Sequence, residues 1–174
     1  MTNYMDKKIS KKPLEHEKLK LDSDSLKKSL ANRLVYSVGK DDITAQDRDW
    51  LNALTYAVRD RLIERWMDTM RSYYVNDRKR VYYLSLDVLI GRTLSNSLLN
   101  MGYMDECLEA LKDLGLDYYL LNVLENDVAL GNGGFGRLAA RFLYSLATLY
   151  IPVFGYGTRY EYGLSHHCLV YGFL

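Results

Sequence analysis

The stretch "RVYYLSLDVLIG", residues 80–91, constrains the fold more than any other part of the chain. Val81, Tyr83 and Ser85 fall on one side of an extended backbone and Tyr82, Leu84 and Leu86 on the other, and neither side is clearly polar. A strand of this kind has to be covered on both faces, which requires a parallel sheet between helices. The chain supplies helices on either side. Leu26, Leu30, Leu34 and Val38 follow from Ser25 at four-residue steps and stop at Gly39, predicting a short helix. "TAQD", 44–47, has the Thr-x-x-acid form of a capping box. Behind it Trp50, Leu51, Leu54, Val58, Leu62, Ile63, Trp66, Met67 and Met70 mark a long helix with a core-facing stripe, ending near Tyr74. After the strand, residues 92–100, "MDECLEALKDLG" and "LDYYLLNVLEND" predict three more helices. A glycine-dense loop then opens a helix over about 137–149, and Pro152 begins a second strand. This order is one arm of an α/β sheet.

At 174 residues, with 48% hydrophobic and 26% charged residues, the chain is the size of one ordinary domain and can bury a core. Its formal net charge of +1 argues against nucleic acid as a partner. No run of about 18 apolar residues predicts a membrane span, and the first 28 residues, with eight lysines, lack the apolar stretch of a secretory signal. Residues 1–24 read as a mobile, lysine-rich lead without apolar period. Cys107 and Cys168 form no Cys-x-x-Cys pair, so neither a disulfide framework nor a metal site is predicted, and a cytoplasmic location is expected. The sixteen tyrosines, paired at 73–74, 82–83 and 118–119, fit half-buried faces or a polar, sugar-binding site.

Gly131, Gly133 and Gly136 of "GNGGFG" satisfy Gly-x-Gly-x-x-Gly directly ahead of a helical pattern. Backbone N–H groups bare of side chains can close on an anion there, the helix N-terminus adds its positive end, and Arg137 can add a charge-assisted bond. A tight turn with no ligand explains the same glycines equally well. Two nucleotide motifs do not fit. The dinucleotide fingerprint needs a strand just before the loop and an acid about 20 residues on, whereas only "VAL" precedes it and the next acid is Glu161. The P-loop needs Lys and then Ser or Thr where this chain has Arg137 and Leu138.

Three segments in order, "RVYYLSLDVLIGRTLSNSLLN", "LGNGGFGRLAARFLYSLATL" and "PVFGYGTRYEYG", together with the helix "DWLNALTYAVRDRLIERWMDT", resemble the α-glucan phosphorylases over about residues 25–163. The resemblance implies an α/β fold, the helix-rich amino-terminal portion of a glycosyltransferase-B-like domain with a partial, mainly parallel sheet. It implies phosphorolysis of the terminal α-1,4-glucosyl unit of a glucan such as glycogen to glucose 1-phosphate. The partners it implies are α-glucan, inorganic phosphate and glucose 1-phosphate, with a family-like homodimer. It also implies pyridoxal phosphate on a lysine, whose phosphate group exchanges a proton with the substrate phosphate. By motif position, Gly133, Gly134 and Phe135 would face phosphate and sugar, and Asn132, Gly136 and Arg137 would shape the loop and the helix start. No catalytic residue of the family falls in this chain, and its cofactor lysine is expected to be absent.

Departures from the family pattern are Asp87-Val88 for Glu-Phe, Val128, Ala129 and Phe135 beside the glycine loop, and Tyr144 for Asp. After "RYEYGL" the sequence diverges into "SHHCLVYGFL", so residues 25–163 are expected to be a truncated, inactive phosphorylase-like segment and 164–174 a non-native tail. The alternative function is a small module that binds phosphate or sugar phosphate through the glycine loop, or a partner through exposed helices. His166 and His167 with Cys168 form no plausible metal set. Asp87 and Glu161 are a weak candidate acid/base pair for glycosyl hydrolysis.

Overall fold

In the computed structural model, residues 17–128 and 130–160 are described, and they form six α-helices and two strands. Helix α1, Ser23–Arg33, starts where the Asp22 carboxylate accepts the Ser25 N–H at 2.6 Å. A π-turn, Leu34–Val38, extends it until Gly39, at φ 75°, ends it. Helix α2, Asp47–Val75, is the long predicted helix. Its cap is two residues later than "TAQD" predicts. Asp41 takes both the N–H and the hydroxyl of Thr44, which leaves Gln46 as N-cap, with Asp49 reaching back to the Gln46 N–H at 3.0 Å. Strand β1 is Val81–Leu84, followed by α3 (Leu94–Met101), α4 (Met104–Asp113), α5 (Tyr118–Val123), α6 (Gly133–Thr148) and β2 (Val153–Tyr156).

The core lies among α1 to α5. Leu26, Leu30, Leu54, Leu98, Tyr103 and Cys107 are fully enclosed there, each large aliphatic contributing about 1.5–3 kcal/mol relative to exposure. Arg61 of α2 is buried with them. Its guanidinium donates to the Ala57 and Lys20 carbonyls at 2.9 and 3.2 Å and to Ser25 Oγ at 3.1 Å, and it stacks over the Tyr103 ring. Residues 17–22 are drawn onto α2 and the turn before α4. Leu19 N–H donates to Glu64, Lys18 pairs with Asp68 at 2.6 Å, and Tyr103 Oη donates to the Asp22 carbonyl at 3.0 Å. The lysine-rich lead is thus anchored where it is described.

β1 and β2 pair in parallel, Val81 opposite Val153 through Leu84 opposite Tyr156. The parallel pairing follows the expectation, but the two-sided cover does not. Helix α6 packs one face, through Tyr83 against Phe142 and Leu143 against Gly155, while Tyr82, Leu84 and Tyr156 remain largely exposed. Among the described residues there is one helix on the sheet, enough for one face only. The stripe of α2 likewise ends early, because Leu51, Leu54 and Val58 meet α1, α3 and α5, whereas Trp66 and Met67 run past the core and are half exposed. Among the described residues no helix is long and apolar enough to cross a membrane.

Candidate functional site

The carboxyl ends of β1 and β2 and the amino end of α6 converge. This corner of a parallel sheet is where α/β proteins bind ligands. Leu84, Ser85, Leu86, Tyr156, Gly157 and Thr158 line an open hollow of about 300 Å³ at the strand ends. A deeper apolar cavity of about 430 Å³ lies beside it, between Tyr83, Val88, Leu130 and Leu143, with Arg159 at its edge. The two parallel strands aim their ends at one spot because α6 runs back along them before β2 begins.

Helix α6 starts earlier than about residue 137. Asn132 is its extended N-cap, at φ −141° and ψ 173°, and Gly133, Gly134, Phe135 and Gly136 are its first turn. Glycine weakens a helix interior, but the first turn lacks intrahelical N–H partners, so a cap geometry that exposes those groups can form on glycine. No side chain caps the helix, and the N–H groups of Gly133, Gly134 and Phe135 have no partner among the described residues. Gly133 sits at φ 60°, a conformation that favours glycine. A Cβ at Gly133 or Gly134 would meet nothing within 4 Å, so both face open space. Phe135 is 85% exposed. The structure therefore brings Asn132, Gly133, Gly134 and Phe135 to one exposed rim.

Gly136 and Arg137 stand differently. Gly136 is buried against the turn after β1, where a Cβ would meet Asp87 Oδ1 at 2.7 Å and Leu89 Cβ at 3.1 Å, and its carbonyl accepts the Leu89 N–H at 2.9 Å. Arg137 is exposed and forms no ion pair with a described residue. Of the six predicted residues, five are exposed and Gly136 alone is packed.

Asp87 is the residue whose place the sequence did not reveal. Its carboxylate accepts the Asn132 N–H at 2.6 Å, directly behind the exposed turn. The signal was present in Gly131, the residue before the cap, where a Cβ would strike Asp87 Oδ1 and the Val88 backbone. Glu161, His166, His167 and Cys168 lie outside the described residues, as do the 161–174 segment and Ala129. Among the described residues no cluster of three or more His, Cys, Asp or Glu is placed to hold a metal.

Chemically, three N–H groups without a partner among the described residues, at the positive end of a sixteen-residue helix, can bind an anionic oxygen. Residues 111–173 match the family described as carbohydrate phosphorylase. The chain is 47% identical over 151 residues to the brain form of glycogen phosphorylase from Pongo abelii, covering 87% of this chain and 18% of that protein. It is 49% identical over 154 residues to a glycogen phosphorylase of Pasteurella multocida, covering 87% and 19%, and 45% identical over 157 residues to one of Chlamydia pneumoniae, covering 90% and 19%. The chain spans about a fifth of the length of these relatives.

Proposed function

We propose that the chain belongs to the carbohydrate phosphorylase family and that its glycine turn holds phosphate during phosphorolysis of α-1,4-glucan by the whole protein. The observation that carries this reading is that the N–H groups of Gly133, Gly134 and Phe135, at the carboxyl ends of two parallel strands, have no partner among the described residues. Asn132 sets the entry angle of the turn, and Gly136 holds it against the β1 segment. Donors fixed in place before the reaction stabilise charge that develops on a phosphate oxygen more than mobile water does. Arg137, one residue beyond the turn, adds positive charge that is free to move toward the anion.

The residues present fit a phosphate group and not a covalent cofactor anchor. The exposed turn has room at Gly133 and Gly134, whereas no lysine lines either hollow at the strand ends among the described residues. Pyridoxal phosphate, the cofactor implied by the family, supplies a second phosphate that exchanges a proton with the substrate phosphate when bound. On this reading the turn serves that pair of anions and the glucosyl unit, and the anchoring amine comes from another part of the whole protein. A glycosyltransferase-B-like domain, a homodimer and a cytoplasmic location belong to the same proposal.

The whole protein is expected to release glucose 1-phosphate from an α-1,4-glucan only when inorganic phosphate is present. Gly134→Ala, which places a methyl in the open mouth of the turn, should lower kcat/KM for phosphate by at least about tenfold. Phosphate-independent release of free glucose would contradict the proposal.

A further inference from the structure

Among the described residues one side chain bonds the glycine turn from behind, and we infer that this residue, Asp87, is the positioning residue that points the turn's N–H groups outward. The inference rests on the phosphate reading only where it concerns binding. Three bonds join the segment after β1 to the turn. Val88 N–H donates to the Leu130 carbonyl at 3.0 Å, Leu89 N–H donates to the Gly136 carbonyl at 2.9 Å, and between them Asp87 Oδ1 accepts the Asn132 N–H at 2.6 Å. The first two grip the ends of the turn. The third grips its cap residue. Asp87 is itself fixed by Ser85, whose Oγ donates to the Asp87 carbonyl at 2.8 Å and accepts its N–H at 3.3 Å.

The glycines sort accordingly. A Cβ at Gly131 or Gly136 would run into the Asp87 carboxylate, whereas Gly133 and Gly134 face open space. Two glycines therefore admit Asp87, and two admit whatever approaches from outside. A carboxylate at a helix N-terminus is favoured by the helix dipole, and its bond to a backbone N–H is charge-assisted. By taking the Asn132 N–H, Asp87 leaves the next three N–H groups for an external anion and sets the direction in which they point. Its reach matters as much as its charge, because Gly131 and Gly136 leave room for this side chain and little more.

The test compares Asp87→Asn and Asp87→Ala in the full chain, with inorganic phosphate as the probe. Asparagine keeps an oxygen that accepts from Asn132 and removes the charge; alanine removes both. Amide exchange at Asn132 without phosphate is expected to rise on the order of tenfold or more in Asp87→Ala and to stay near wild type in Asp87→Asn, with exchange at Leu54 and Leu98 unchanged in both. Phosphate affinity should fall on the order of tenfold in Asp87→Ala and be kept or strengthened in Asp87→Asn, a pattern that a general loss of stability does not produce. Wild-type exchange and affinity in Asp87→Ala would overturn the inference, and so would Asp87→Asn behaving like Asp87→Ala. If wild type shows no phosphate binding, the phosphate reading fails while the exchange comparison still decides the role of Asp87.

Discussion

Two glycines two positions apart, Gly134 and Gly136, carry different burdens. An alanine methyl at 136 would meet Asp87 Oδ1 at 2.7 Å and Leu89 Cβ at 3.1 Å, so Gly136→Ala is expected to cost about 1–3 kcal/mol of stability. At 134 the methyl meets nothing within 4 Å, and Gly134→Ala should be neutral or slightly stabilising, because alanine loses less backbone entropy on folding. Urea melts of the two variants check this pair; equal destabilisation would contradict the geometry. Arg61 is the other residue whose role is specific. It is 2% exposed, and its partners are carbonyls and hydroxyls, the Lys20 carbonyl of the anchored lead among them. Arg61→Ala would leave the Lys20 carbonyl and Ser25 Oγ without that donor and open a cavity beside Tyr103, at an expected cost of about 2–4 kcal/mol. Proteolysis within residues 17–22 should then become faster than in wild type.

Helix α4 brings Cys107 into the core beside Tyr103, which precedes the helix, and burial pushes both groups up to about 12. A thiol or phenol held protonated in the folded chain binds more protons there than in the unfolded chain. Stability from these two groups is therefore fully present below pH about 9 and is lost as pH rises from about 9 toward 12. Denaturant midpoints measured across that interval should fall with pH, and Cys107→Ala should flatten part of the slope. The elements also show what the sequence could reveal. The helices α1 and α2, the stop at Gly39 and the parallel pairing of two strands followed from apolar spacing and turn residues. Two boundaries did not. Asp41 competes for Thr44, a local hydrogen bond that spacing cannot register, and α6 reaches back into its glycines because Asn132 is extended and Asp87 receives its N–H. The glycine motif ahead of a helix was legible in the sequence; the carboxylate behind it, 45 residues earlier in the chain, was not.

The molecule is unevenly built. Among the described residues its helical body encloses all of the buried leucines, while the β1–β2–α6 part buries little more than Val88, Gly136, Ala139 and Ala140 and leaves Phe135, Leu138 and Phe142 exposed along α6. The glycine turn lies in this thinner part, held by the Asp87 carboxylate and by backbone bonds from Val88 and Leu89 rather than by a deep core. Amide exchange should accordingly be slower in α2 and α4 than in β1 and β2. The phosphate reading of the turn is tested most directly by amide chemical shifts of the full chain during titration with inorganic phosphate. Saturable shifts confined to Gly133, Gly134, Phe135 and their immediate neighbours are the expected result. Shifts spread over the lysines of residues 17–28 with none at the turn, or no saturable shift at all, would contradict it.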